Sequence, residues 1–179
     1  MTARAPGGPA PPGVVIWLTG RPATGKTTVA RALIAELQAQ GRATLWLDSD
    51  DLRAVLTPEA RYDDAEREHF YQALIHLAAL GSGGGAVVVV SATAHRRAWR
   101  DAARARVGGR FLEVWLQTPQ PVLEARDPKG LYRRAAAGEI AALPGVGIPY
   151  EDPTRAEATF NTAVTSPQVI AREVLACLT

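Results

Sequence analysis

The chain has 179 residues, 47% hydrophobic and 21% charged, enough to bury the core of one ordinary globular domain and hardly of two. Its 20 Lys and Arg against 18 Asp and Glu leave a net charge of +2, without the one-signed field of a dedicated nucleic-acid binder. The single cysteine, Cys177, excludes an internal disulfide and a cysteine-rich metal site, and no run approaches the ~18 apolar residues that cross a bilayer, so a cytoplasmic protein is expected.

Residues 1–13, rich in Pro, Gly and Ala without an apolar stretch, read as a flexible lead-in to one domain over 14–179. Val14-Val15-Ile16-Trp17-Leu18-Thr19 is a β-branched and aromatic run of the kind buried on both faces of a parallel sheet. A glycine-rich turn follows. Val29, Leu33, Ile34 and Leu37 then recur at helical spacing over 26–40, and Gly41 supplies a stop. A second strand is expected at 43–47, a helix over 64–80, a glycine-rich connector over 81–85 and a strand at 86–91. The spacing predicts a helix over 97–107, a strand over 111–116 and a helix over 119–126. The segment 127–153, with four Gly, four Pro and charges of both signs, is too irregular for core and too long for a turn, so it reads as a lid. A short strand at 161–165 and a helix over 167–178, with Cys177 as a small core residue, close the chain. This alternation predicts an α/β fold whose parallel sheet is flanked by helices on both faces, with ligands at the carboxyl ends of the strands.

Gly20-Arg21-Pro22-Ala23-Thr24-Gly25-Lys26-Thr27 matches the phosphate-binding pattern Gly-x-x-x-x-Gly-Lys-Ser/Thr in full, between an expected strand and an expected helix. Its glycines let backbone N–H groups curl around phosphate oxygens at a helix N-terminus, so 20–28, Thr28 included, is the expected ATP-binding set. Lys26 is placed on the β/γ-phosphates and Thr27 on Mg²⁺, which prefers oxygen ligands. At the end of the second strand stands Asp48-Ser49-Asp50-Asp51-Leu52-Arg53. One carboxylate there can hold Mg²⁺ through water and another can accept a proton from an acceptor hydroxyl, while Arg53 clamps an anionic group. Asp50 or Asp51 can instead cap a helix beginning near Leu52. The chain carries no Asn/Thr-Lys-x-Asp guanine-reading motif, which favours a small-molecule kinase over a GTPase.

Arg126-Asp127-Pro128-Lys129-Gly130-Leu131-Tyr132, Ala137-Gly138-Glu139-Ile140 and Pro149-Tyr150-Glu151-Asp152-Pro153 form a more distinctive set. With Phe111-Leu112-Glu113-Val114-Trp115-Leu116 and the phosphate loop, they closely resemble the adenylylsulfate kinases over most of the chain from Val14 onward. The resemblance implies a P-loop NTPase fold, a homodimer, and transfer of phosphate from ATP to the 3′-hydroxyl of adenosine 5′-phosphosulfate. By position it implies that Asp48 and Asp50 serve the acceptor hydroxyl and Mg²⁺ and that Arg53 and Arg67 bind the acceptor. It likewise places Lys129 at the transferring phosphate and Arg126 against the adenine of ATP.

The departures gather on the acceptor side. The family's Asp-Gly-Asp-Asn is Asp48-Ser49-Asp50-Asp51 here, its aromatic and asparagine are Tyr62 and Phe70, and its Ile-Ser-Pro-Tyr/His-Arg is Ala92-Thr93-Ala94-His95-Arg96. The lid's Phe-Thr-Gly is Leu143-Pro144-Gly145. A kinase for another nucleotide-like or small acceptor is therefore a second reading, and a nucleotide-binding regulator without transfer a third. His95 reads as an acceptor contact or an exposed loop residue, and His69 and His76 as surface or packing residues. Arg96, Arg100 and Arg104, at i, i+4 spacing, read as a solvated helix face before a basic stripe toward an anion.

Overall fold

The computed structural model describes residues 13–59 and 61–178, so the expected lead-in, but for Gly13, lies outside the described residues. Five parallel strands form one sheet in the order β2-β3-β1-β4-β5, where β1 is Val14–Thr19, β2 Thr44–Asp48, β3 Val87–Ser91, β4 Phe111–Gln117 and β5 Ala158–Asn161. The register sets Val15 beside Val88 and Phe111, and Leu47 beside Val90. Because side chains alternate along a strand, each strand contributes to both faces. On one, Val14, Ile16, Leu18, Val114 and Leu116 pack with Val29, Leu33 and Leu37 of α1 (Lys26–Ala39) and Ile170 and Val174 of α7 (Pro167–Ala176). On the other, Val15, Trp17, Val88, Val90 and Phe111 meet Phe70, Leu74 and Ala78 of α3 (Asp64–Gly83) and Trp99 and Ala103 of α4 (Arg97–Val107).

Fully burying one aliphatic or aromatic side chain contributes roughly 1.5–3 kcal/mol, so these two layers carry the fold and leave the loops at the strand ends free to be shaped for ligands. Among the described residues no helix is long and apolar enough to cross a membrane.

Four elements differ from the sequence expectation. The helix α2, Ser49–Leu56, starts directly after β2 and is capped by Asp48, whose side chain accepts from the backbone N–H of Asp50; neither Asp50 nor Asp51 is the cap. The helix α3 runs on to Gly83, so the glycine run opens inside the helix it was expected to end. The last strand is not 161–165 but Ala158–Asn161, aligned by Glu157 N–H donating to the Glu113 carbonyl; beyond it, Thr165 N–H turns back to the Asn161 carbonyl. Finally, the expected lid contains a short helix, α6, Leu131–Ala136, just after α5, Gln120–Arg126. Tyr132 packs there with Leu123 and Leu143 in a small core separate from the sheet's two layers. Cys177, expected in the core, is exposed beyond the apolar side of α7.

Candidate active site

The chain leaves β1 through a loop that only glycine can open. A Cβ on Gly20 would lie 2.5 Å from the Leu116 carbonyl oxygen, and Gly25 precedes α1 at φ 89°, a left-handed conformation unfavourable for other residues. The loop then folds onto itself: Thr24 Oγ1 donates to the Arg21 carbonyl at 2.9 Å, and Lys26 Nζ donates to the carbonyls of Gly20 and Arg21 at 2.9 and 3.0 Å. The first amides of α1 have no intrahelical carbonyl to bond, so they face the loop as anion donors. Burial lowers the pKa of the Lys26 ammonium to about 8, against the opposing pull of Asp50 and Asp48.

Asp48 ends β2 opposite Ser91 of β3, and this register builds the next part of the site. Its Oδ2 accepts from Ser91 Oγ at 2.7 Å and from Thr27 Oγ1 at 3.0 Å, while Oδ1 accepts from Asp50 N–H at 2.9 Å. One carboxylate thus fastens α1, β3 and α2 together. Asp50 projects from α2 into an ion pair with Lys129 from the loop between α5 and α6, both side chains being more than half exposed. Lys26, Thr27, Asp50, Thr93 and Lys129 line one cavity of about 510 Å³, which extends past Arg126 and Thr162. Arg126 closes its far end by donating to Thr162 Oγ1 at 2.9 Å and to the Thr162 carbonyl at 2.7 Å.

Not every residue of the expected set turns its side chain inward. Arg21 contributes backbone to the loop, but its guanidinium points away, donating to Gln120 Oε1 at 2.7 Å and to the Thr118 carbonyl at 2.9 Å. A second cavity of about 870 Å³ lies along Arg21, Trp115 and Tyr150, and it includes none of Lys26, Asp48, Asp50 and Lys129. Lys26, Asp50 and Lys129 line the smaller cavity, and Asp48 reaches it through Thr27.

On the acceptor side the two expected arginines are occupied by the protein itself. Arg53 donates to Glu66 Oε1 at 3.2 Å, and its guanidinium lies 3.9 Å from the centroid of the Phe70 ring, a stacked cation–π contact. Buried Arg67 donates to the Tyr62 carbonyl at 2.8 Å and across to the Ala142 carbonyl at 3.0 Å, which ties α3 to the segment 127–153. His95 is not an exposed loop residue. It is buried, edge-on to Trp99, and burial, reinforced by Arg67 and Arg96, lowers its pKa to about 4, so its ring is neutral at physiological pH. His69 and His76 are exposed on α3.

The expected arginine stripe is not one solvated face, because its members along α4 are drawn into ion pairs and Arg96, just before the helix, is the most exposed of the three. Arg100 is buried against Glu113 at 2.7 Å, and Arg104 reaches Glu157 at 2.5 Å, while Arg96 pairs with Asp64 at 2.7 Å. Sequence reading also missed Ser91 and Thr162. Thr162 Oγ1 donates to the Thr24 carbonyl at 2.9 Å, linking the end of β5 to the phosphate loop. Ser91 becomes findable once β2 and β3 are known to be neighbours, whereas Thr162 sat in a segment taken for strand.

Comparison with known proteins agrees with this geometry. A family model described as Adenylylsulphate kinase matches residues 12–161. An adenylyl-sulfate kinase of Escherichia coli O1:K1 is 42% identical over 150 residues, which span 83% of this chain and 75% of the relative. The Mycobacterium tuberculosis APS kinase CysC, solved in complex with AMPPNP and APS, superposes with a TM-score of 0.87 at 33% identity, covering 94% of this chain and 98% of that one. A gluconokinase from Sinorhizobium meliloti 1021, at 22% identity and a TM-score of 0.61, covers 93% of this chain and 91% of its own and shares the fold. With the family match spanning most of its length and the relatives this similar, the chain belongs to the adenylylsulfate kinase family.

Proposed function

We propose that the protein is an ATP-dependent kinase that transfers the γ-phosphate to the 3′-hydroxyl of adenosine 5′-phosphosulfate, releasing 3′-phosphoadenosine 5′-phosphosulfate and ADP. The observation that carries this reading is the convergence of Lys26, Asp50 and Lys129 on the cavity beneath the phosphate loop, in a chain of this family. The loop amides and Lys26 hold the β- and γ-phosphates, and Arg126 lies against the adenine. Arg53 and Arg67 bind the acceptor, which must draw Arg53 from Glu66 or bind beside that pair.

The donor set fits Mg²⁺, because Thr27 Oγ1 and Asp48 Oδ2, two hard oxygens, lie 3.0 Å apart beside the loop. When bound, the ion neutralises phosphate charge. Three donors fix the orientation of Asp48, which suits a metal-holding role. Asp50, exposed and tied to Lys129, is the carboxylate that can turn to the acceptor. The 3′-oxygen then forms its bond to the γ-phosphorus as the bond to the β–γ bridging oxygen breaks, and Asp50 takes the hydroxyl proton. Lys26 and Lys129 stabilise the charge spread over the transferring oxygens.

Residues 14–179 act as one kinase domain in this reading, with 127–153 as a lid that excludes water during transfer. The working form is a cytoplasmic homodimer, which sedimentation at micromolar concentration checks. The deciding experiment follows ADP release from Mg-ATP with adenosine 5′-phosphosulfate, beside other nucleotides and sulfated or phosphorylated small molecules. Turnover of adenosine 5′-phosphosulfate is expected. Release with another compound only would overturn the substrate, and ATP binding without acceptor-dependent release would make the protein a nucleotide-binding regulator.

A further inference from the structure

Among the described residues Arg100 is the charged side chain most fully hidden, with its side chain 0% exposed, and its hydrogen bonds go to Glu113, Ala94 and Glu151 rather than to the phosphate loop or the two aspartates. A cation in the interior is tolerated only when its hydrogen bonds are met, and this one has partners on three separate segments. Arg100 Nε donates to Glu113 Oε1 of β4 at 2.7 Å, Nη2 donates to the Glu151 carbonyl at 2.5 Å, and Nη1 donates to the Ala94 carbonyl. Glu151 stands where the lid returns to the sheet. Ala94 belongs to the loop between β3 and α4, where it is held at φ 41°, a conformation an alanine adopts only under constraint.

The surrounding bonds repeat the same pairing of loop and lid. Glu151 N–H donates to the His95 carbonyl at 2.8 Å, the Glu151 carboxylate accepts from Arg97 N–H at the start of α4 at 2.6 Å, and Ala94 N–H donates to Tyr71 Oη at 2.8 Å. The Arg100 guanidinium carbon lies 5.6 Å from the centre of the Tyr150 ring, and Tyr150 Oη meets Thr19 Oγ1 at 2.9 Å as that hydroxyl donates to the Thr93 carbonyl at 2.8 Å. Thr93 itself lines the cavity that holds Lys26, Asp50 and Lys129. The β3–α4 loop and the lid's return are therefore one braced unit, with Arg100 at its centre.

We propose that Arg100 is a positioning residue for the acceptor: it sets the β3–α4 loop, which brings Thr93 to the cavity, and the returning segment 127–153, which Arg67 holds at Ala142, in fixed relation before the acceptor arrives. Two features favour this over simple support of the fold. Stability alone is served as well by an apolar residue at a buried ion-pair position. A guanidinium supplies a planar fork able to bond three directions together, which an ammonium on a flexible stem cannot reproduce. The inference rests on the phosphotransfer reading only in naming the acceptor.

The test uses Arg100→Lys, together with Arg100→Met combined with Glu113→Gln, which leaves no unpartnered carboxylate buried should the first variant fold poorly. Because misplacing a reacting group by about 1 Å can cost up to a hundredfold in rate, the KM for adenosine 5′-phosphosulfate is expected to rise about tenfold while that for ATP stays within about twofold. Amide hydrogen exchange should accelerate together at Ala94 and Glu151 in the same variants. An unchanged acceptor KM, or both KM values rising in step with a lower melting temperature, would reduce Arg100 to a structural role. Were the wild type inactive on adenosine 5′-phosphosulfate, the proposed substrate would fall, and the exchange rates would still decide the brace: joint loss of protection supports it, and unaltered protection overturns it.

Discussion

The phosphate-loop cavity and the expected acceptor side, whose arginines lie outside that cavity's lining, are made in different ways. The donor side is mostly backbone: a loop between β1 and α1 whose bonds, from Lys26 to the carbonyls of Gly20 and Arg21 and from Thr24 to Arg21, span six residues or fewer. The expected acceptor side is built of side chains from distant segments, such as Arg53 stacked on Phe70 and Arg67 reaching Ala142 across 75 positions. Backbone geometry depends on a few glycines and one lysine and leaves little room for change. A pocket of side chains can be refilled one residue at a time, so departures from the family gather there without touching phosphate binding.

The difference can be broken or sharpened by experiment. Lys26→Ala removes the cation at the phosphates, and ADP release should fall on the order of a thousandfold in a turnover assay while the melting temperature holds. Phe70→Ala should act on the other side through stability. Phe70 is fully buried beneath the Arg53 guanidinium, and its loss should cost about 3–5 kcal/mol in denaturant unfolding. If that variant lost donor binding in the folded protein, the two sides would not be separable.

If Lys129 meets the phosphate only during transfer, as proposed, Lys129→Ala should lower kcat by roughly a hundredfold and move the KM for ATP by less than about threefold. The smallest effect is one of pH. Burial sets the Lys26 pKa near 8 in the empty protein, so its positive charge is present below that value and lost above it. Bound phosphate restores the charge, so ATP affinity should weaken about tenfold between pH 7 and pH 9 by titration calorimetry. Stability has the opposite sign: between about 8 and 10.5 the unfolded chain holds more protons at Lys26, and folding gains as pH rises.

Much of this was legible in the sequence, and the exceptions have physical reasons. The central strands announced themselves because both their faces are buried, and α1 because its apolar residues keep helical spacing. The phosphate loop was readable because its chemistry is local. The start of α2 was misplaced because Asp48, its cap, was read only for metal and acceptor chemistry, which left Asp50 or Asp51 to cap a helix near Leu52. The strand β5 was displaced because Ala158 and Phe160 give only a short alternation against the β-branched residues that follow. Arg100 could not be read as buried, since its partner Glu113 lies on another element and helical spacing alone gave a water-facing stripe. Arg53 and Arg67 were named for the acceptor, and nothing local told that Glu66, Phe70, Tyr62 and Ala142 would engage them.

The ion pair between Asp50 and Lys129 bears on time as well as on place. Before ATP arrives, the aspartate occupies the lysine as a phosphate later will. In the proposed reading, arrival of the nucleotide offers Lys129 a stronger anion and frees Asp50 to accept the acceptor's proton. Such an exchange would build a sequence into the proposed cycle, in which the donor binds first and arms the site for the second substrate. Titration calorimetry should accordingly show acceptor binding only in the presence of the nucleotide in the wild type, and acceptor binding without it in Asp50→Asn.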